Sequence, residues 1–171
     1  FEPISSLMGE NEDYSDCFET ISAISPKLAE QYLKIVWMDT VCYNMDRHTE
    51  NFGFLREIKS GEIVSMAPNY DNNIALISRG YPDDVSRKSD GLMRFFREFL
   101  AENETAGQMY RNMELPVITK ELIGACLDEI PVEADREYIQ SFILNGQTAV
   151  RDIIHSENLT EVQDQSMGLT L

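Results

Sequence analysis

The chain has 171 residues, enough for one domain, and at this size about 70% of the unfolded surface can be buried without disulfide staples. Apolar residues make up 43% and charged residues 26%, ordinary globular usage that excludes collagen-like, low-complexity and wholly disordered chains. Fourteen Lys+Arg against thirty Asp+Glu leave a formal charge of −16, which repels phosphate backbones and anionic lipid heads and so argues against direct binding of nucleic acid or a membrane surface.

The charge is unevenly placed. Residues 1–20 carry six acids and no base, residues 21–97 carry ten of each, and residues 98–171 carry fourteen acids and four bases. The neutral middle block, with Arg47, Arg79, Arg87 and Lys88 in it, suits a chain that handles an anion there; a solvated mixed surface gives the same local balance. Cys17, Cys42 and Cys126 are odd in number and lack CxxC or His-rich spacing, so neither a disulfide framework nor a zinc site is indicated, and a reducing, cytoplasmic setting is expected. No apolar run approaches the roughly 20 residues of a membrane span.

In chain order, residues 1–15 mix turn formers with acids and predict an extended or irregular lead-in, followed by a helix from about Ser15 or Asp16. At Pro26 the pattern becomes strongly helical: Ser25 can cap, Pro26 suits the first turn, and Leu28, Tyr32, Ile35 and Val36 recur at spacings of three and four. Trp37 and Met38 widen the apolar face, which marks a central, buried helix. Residues 52–58 and 62–66 flank Lys59-Ser60-Gly61 and predict a β-hairpin. Residues 67–91, rich in Pro, Asn, Asp, Gly and Ser, predict a loop longer than the 12–15 residues usual in a compact domain, and such loops are commonly functional. Helices are expected over about 90–103, 119–130 and 134–156, with 157–171 frayed. The expected fold is mainly α with one β-hairpin, a single domain over 1–171.

The polar residues of interest gather around the hairpin. MDRHTEN (45–51) ends the central helix and APNYDNN (67–73) follows the second strand. Phosphoryl transfer needs a carboxylate to orient an attacking hydroxyl and accept its proton, and hard oxygen ligands to hold Mg²⁺ against nucleotide phosphates. Asp46, Asn51 and Asp71 form such a set, with the Asp-x-x-x-x-Asn spacing of a kinase catalytic loop. Taken singly, each also fits a turn-forming role.

Asp-Arg-His-x-x-Asn, then Phe-Gly-Phe-Leu, then Ala-Pro-x-Tyr-Asp-Asn resembles the HipA-like kinases over residues 27–77. The resemblance implies a protein-kinase-like C-terminal lobe, with ATP and Mg²⁺ as cofactors and a Ser/Thr protein as substrate. It implies Asp46 as catalytic base, Asn51 and Asp71 as Mg²⁺ ligands, and His48 and Tyr70 beside the nucleotide phosphates. An antitoxin-type protein, as some relatives have, is a further candidate partner. Phosphatidylinositol-kinase-like enzymes share Asp-Arg-His-x-x-Asn but usually follow it with Asp-Phe-Gly, where this chain has Asp71-Asn72-Asn73.

No Gly-rich phosphate lid or strand Lys precedes Asp46, so the chain reads as a C-terminal lobe whose N-terminal lobe belongs to the same or another polypeptide. A catalytically reduced interaction module is the alternative. Elsewhere, His155 reads as a helix-end surface residue, Cys42 as a buried thiol, and the run Asp83–Asp90 as a solvated loop where a kinase activation segment would lie.

Overall fold

A computed structural model describes residues 1–9, 13–131 and 133–167, with side chains up to Ile153. Its core is built around α3 (Pro26–Cys42), which starts as its sequence dictates: Ser25 Oγ accepts from the Lys27 N–H and Pro26 occupies the first turn, where its missing N–H costs nothing. Leu33, Ala29, Tyr32, Val36, Trp37 and Val41 of this helix are buried on nearly all sides. The preceding α2 (Tyr14–Ile24), capped by Asp13, packs Cys17, Phe18 and Ile21 against it.

The expected lead-in is ordered in its first nine residues. Glu2–Pro3 form a strand, β1, and Ser5–Met8 a single helical turn, α1. β1 pairs antiparallel with β2 (Gly53–Arg56), which pairs antiparallel with β3 (Ile63–Met66), so the expected hairpin is the inner part of a three-stranded sheet in the order β1-β2-β3. A two-residue strand containing Pro has no periodicity to read; only the free edge of β2 makes it a strand, and Pro suits such an edge. Gly53 permits the approach, because a Cβ there would stand 2.1 Å from the Glu2 carbonyl oxygen.

Residues 67–90 contain no helix or strand, as expected, and run as a series of turns. Beyond them the helical region differs from expectation in two places. α4 (Gly91–Glu102) is followed by α5 (Glu104–Asn112), a helix hidden in a polar stretch; Asn103 ends the first and caps the second through the Ala106 N–H at 3.0 Å. Gly107 fits α5 against α4, where a Cβ would meet the Leu100 carbonyl at 2.6 Å. After α6 (Lys120–Asp128), α7 (Arg136–Met167) continues well past residue 156, where fraying was expected; residues 168–171 of that tail, and the side chain of His155, lie outside the described ones. Among the described residues no helix is long and apolar enough to cross a membrane.

Candidate active site

α3 ends at Tyr43, which adopts a left-handed conformation (φ 58°) and turns the chain sharply. The Asn44 N–H then donates to the Asp39 carbonyl at 2.8 Å, so the loop carrying residues 45–51 leaves directly from the helix end. Within it, Asp46 is half-buried, and its carbonyl accepts from Asn51 Nδ2 at 2.8 Å and from the His48 N–H at 3.1 Å. Because Asn51 spends its amide nitrogen on Asp46, the atom left over is Oδ1, the type of oxygen a hard cation takes. His48 Nδ1 accepts from the Glu50 N–H at 3.3 Å. The outer side of this loop is held by the first nine residues: the Ser5 N–H donates to the Thr49 carbonyl, the Ile4 N–H to the Phe52 carbonyl, and Thr49 Oγ1 to the Gly9 carbonyl at 3.0 Å.

The second loop, 67–73, meets the first through Arg47, a residue of the Asp-Arg-His-x-x-Asn motif to which sequence reasoning gave no role beyond that of an available cation. Arg47 is buried, 7% exposed, and its guanidinium makes six hydrogen bonds. Nε and Nη2 form a bidentate pair with Asp39 at 2.7 and 2.8 Å. Nη1 donates to the Asn51 carbonyl at 2.6 Å and to the Tyr70 carbonyl at 2.8 Å, while Nη2 also reaches Asn69 Oδ1 at 2.6 Å and Asn72 Oδ1 at 2.8 Å. A rigid five-donor fork suits this task, which an ammonium cannot perform. Asn44 closes the cluster from Nδ2, to Asp39 at 2.9 Å and Asn72 at 3.3 Å.

Tyr70 bridges the loops a second time, its hydroxyl donating to the Glu50 carbonyl at 2.5 Å and its ring lying edge-on to Phe1. Partial burial pushes its hydroxyl pKa upward. Asp71 is exposed and left-handed (φ 54°), a conformation Asp tolerates better than most residues. Thus Asp46 and Asn51 share a direct bond, Tyr70 is seated on the same loop, and Asp71 is its neighbour. Among the described residues no hydrogen bond joins the Asp71 or His48 side chain to the other candidates. The donors on offer are carboxylates and an amide oxygen, a hard set that fits Mg²⁺; no group of three His, Cys, Asp or Glu side chains gathers among the described residues.

The basic residues of the neutral block are not a common anion site. Arg87 is 1% exposed: Nη2 and Nη1 donate to the Thr40 and Val41 carbonyls at the end of α3 (2.6 and 2.8 Å), Nε pairs with Asp90 at 2.6 Å, and its plane lies 4.1 Å from the Phe142 ring centroid. The expected solvated run 83–90 is therefore pinned to the core. Asp84 fixes its turn, accepting from Ser86 and Ser89, hydrogen bonds that hold its carboxyl well below the usual range. Arg79 and Lys88 are exposed. Neither buried arginine carries a local sequence signal of burial; the nearest hint for Arg47 is the three Asn at 69, 72 and 73, acceptors beyond what one turn needs.

A family model for the HipA-like C-terminal domain matches residues 3–130. Among solved structures, the chain is similar to the Helicobacter pylori proinflammatory kinase CtkA, with a TM-score of 0.55 and 17% identity over 90% of this chain; it spans 66% of that protein. No curated protein sequence matches it. The matched stretch contains α3, β2, β3 and both loops, which decides between the two kinase groups sharing Asp-Arg-His-x-x-Asn: the chain belongs to the HipA-like C-terminal domain family.

Proposed function

We propose that the chain is the catalytic lobe of an ATP- and Mg²⁺-dependent HipA-like Ser/Thr protein kinase. The observation that carries this reading is the double donation from Arg47 Nη1 to the Asn51 and Tyr70 carbonyls, which seats the loop of Asp46 and Asn51 beside the loop of Asp71. In this reading Asn51 and Asp71 hold Mg²⁺, and His48 and Tyr70 adjoin the phosphates. The nucleotide would supply its γ-phosphoryl group, the bond to the acceptor oxygen forming as the bond to the β-phosphate oxygen breaks and ADP leaves. Asp46 orients the acceptor hydroxyl and takes its proton, so that the oxygen attacks as it becomes an alkoxide. Positioning on a helix end provides most of the protein's contribution, since such transfers need little covalent chemistry from the enzyme.

The test is a ¹⁵N NMR titration with Mg²⁺·ATP. Signals of residues 44–52 and 69–73 are expected to shift, less so with ATP and EDTA, and far less in Asp71→Asn. No shift in this chain and none in the intact protein would leave a helical interaction module as the surviving reading.

A further inference from the structure

Beside the Asp46 loop lies a cleft of about 350 Å³ that the phosphoryl-transfer residues do not use, within the size range of ligand sites. It opens between the start of α2, the loop residues Asn44 and Met45, and one face of α4. Tyr14 and Phe99 form its wall, their rings edge-on at 5.8 Å, and Phe95 and Met45 stand at its mouth, 50% and 41% exposed. Two large apolar side chains left in water at one opening are a signature of contact with something else.

The chemistry of the lining selects the occupant. Glu98 and Glu102 bring two exposed carboxylates, and Asp13, whose Oδ1 caps α2, adds its charge beside them. Among the described lining residues the one base is Arg47, and its donors are consumed by Asp39 and the two loops. The chain's own Arg94 lies over the exposed Phe95 ring, 5.1 Å from its centroid, and reaches Glu98 at 3.8 Å with both side chains more than half exposed, a pair that salt screens, that is worth little and that an incoming cation can displace. The cleft therefore presents net negative charge above aromatic faces, which repels phosphate and carboxylate and suits a guanidinium or ammonium whose stem lies on the rings.

We infer that this cleft takes an Arg or Lys side chain of the protein segment bearing the acceptor Ser/Thr, and so makes the enzyme select hydroxyls flanked by basic residues. The inference rests on the kinase reading for the acceptor and on the cleft for the selection. Its position supports it: Met45 and Arg47, which flank Asp46 in sequence, line the cleft, so the cleft lies beside the loop that carries the proposed base.

The experiment compares two Ser-containing peptides, identical except for Arg or Glu at the second and third positions before the Ser, titrated into ¹⁵N-labelled chain in low salt. The Arg peptide is expected to bind at least tenfold more tightly, shifting signals of Tyr14, Met45 and Phe95. In Glu98→Lys/Glu102→Lys, exposed changes on α4, the preference should fall below threefold while the response to Mg²⁺·ATP is retained. Equal binding of the two peptides, or a preference that survives the charge reversal, overturns the inference. If Mg²⁺·ATP shifts the Asp71 loop while the peptides bind alike, the cleft assignment falls and the kinase reading stands. If the preference holds without any Mg²⁺·ATP response in the chain or the intact protein, the kinase reading falls and the acceptor role falls with it.

Discussion

Two irregular stretches of this molecule are each fastened by one buried arginine, and the fastenings differ in what they hold. Arg47 faces a carboxylate on α3 and spends its remaining donors on the loops that carry Asn51 and Asp71. Arg87 faces the last carbonyls of α3, stacks on Phe142 and pairs with Asp90 at the start of α4. The first ties site to site. The second ties fold to fold, satisfying helix-end acceptors that would otherwise be buried without donors. Burial of a charged side chain thus says nothing by itself about function; its list of acceptors does.

The largest effect is expected at the proposed base. Asp46→Asn, measured in the intact protein, should lower the kcat of the proposed phosphoryl transfer by about 10²–10⁴-fold with an unchanged melting curve. Arg47→Met leaves Asp39 charged and buried without its partner, so a loss of about 3–5 kcal/mol in urea unfolding is expected, together with weaker Mg²⁺·ATP binding in the fraction that folds. Arg87→Met should also destabilise, yet the folded fraction should bind Mg²⁺·ATP as the parent does. Equal nucleotide binding by both arginine variants would erase the distinction between the two fastenings.

Asp71→Asn should weaken Mg²⁺-dependent nucleotide binding by about tenfold or more while leaving stability nearly unchanged, because Asn accepts the left-handed backbone as readily as Asp. Isothermal titration with and without Mg²⁺ checks it. Gly146→Ala probes the Arg87 side more gently. The added Cβ would meet Arg87 Nη1 at 2.6 Å and the Val41 carbonyl at 2.8 Å, and overpacking of this kind costs about 1–3 kcal/mol.

The smallest effect is a chemical reporter between the two arginines. Burial pushes the Cys42 thiol up to about 11, which lowers its thiolate fraction at pH 8 by about a hundredfold relative to an ordinary thiol. Iodoacetamide at pH 8 should modify exposed Cys126 first and Cys42 slowly; Arg87→Met should speed Cys42 more than Arg47→Met does, since Arg87 holds the loop whose Leu76 N–H caps the Cys42 carbonyl.

What the chain declared in advance was what local chemistry encodes. Ser25-Pro26 announced α3, the pattern around Lys59-Ser60-Gly61 announced β2 and β3, and the motif residues marked the two loops that Arg47 fastens together. What it concealed depends on partners far away in sequence. β1 exists because β2 has a free edge; α5 exists because Asn103 caps it and because Ala106, Gly107 and Tyr110 turn one narrow face of an otherwise polar sequence into the core. Arg47 and Arg87 look like surface cations until the acceptors 22 to 47 residues away are in place.

The Asp39–Arg47–Asn72–Asn44 ring also has a bearing on folding order. Its bonds to Asp39 join near neighbours in sequence, but those to Asn72 span the hairpin, so the ring cannot close until β2 and β3 have brought residues 69–72 back, and each long-range bond alone repays little of that loop-closure entropy. The helical core of α2 and α3 draws on near neighbours in sequence and has no such wait. The ring should therefore assemble as one late event and open as one unit, giving residues 44–51 and 69–72 a common hydrogen-exchange rate below the protection of α3. A chain could hold its core intact and still alternate between a competent and an incompetent site.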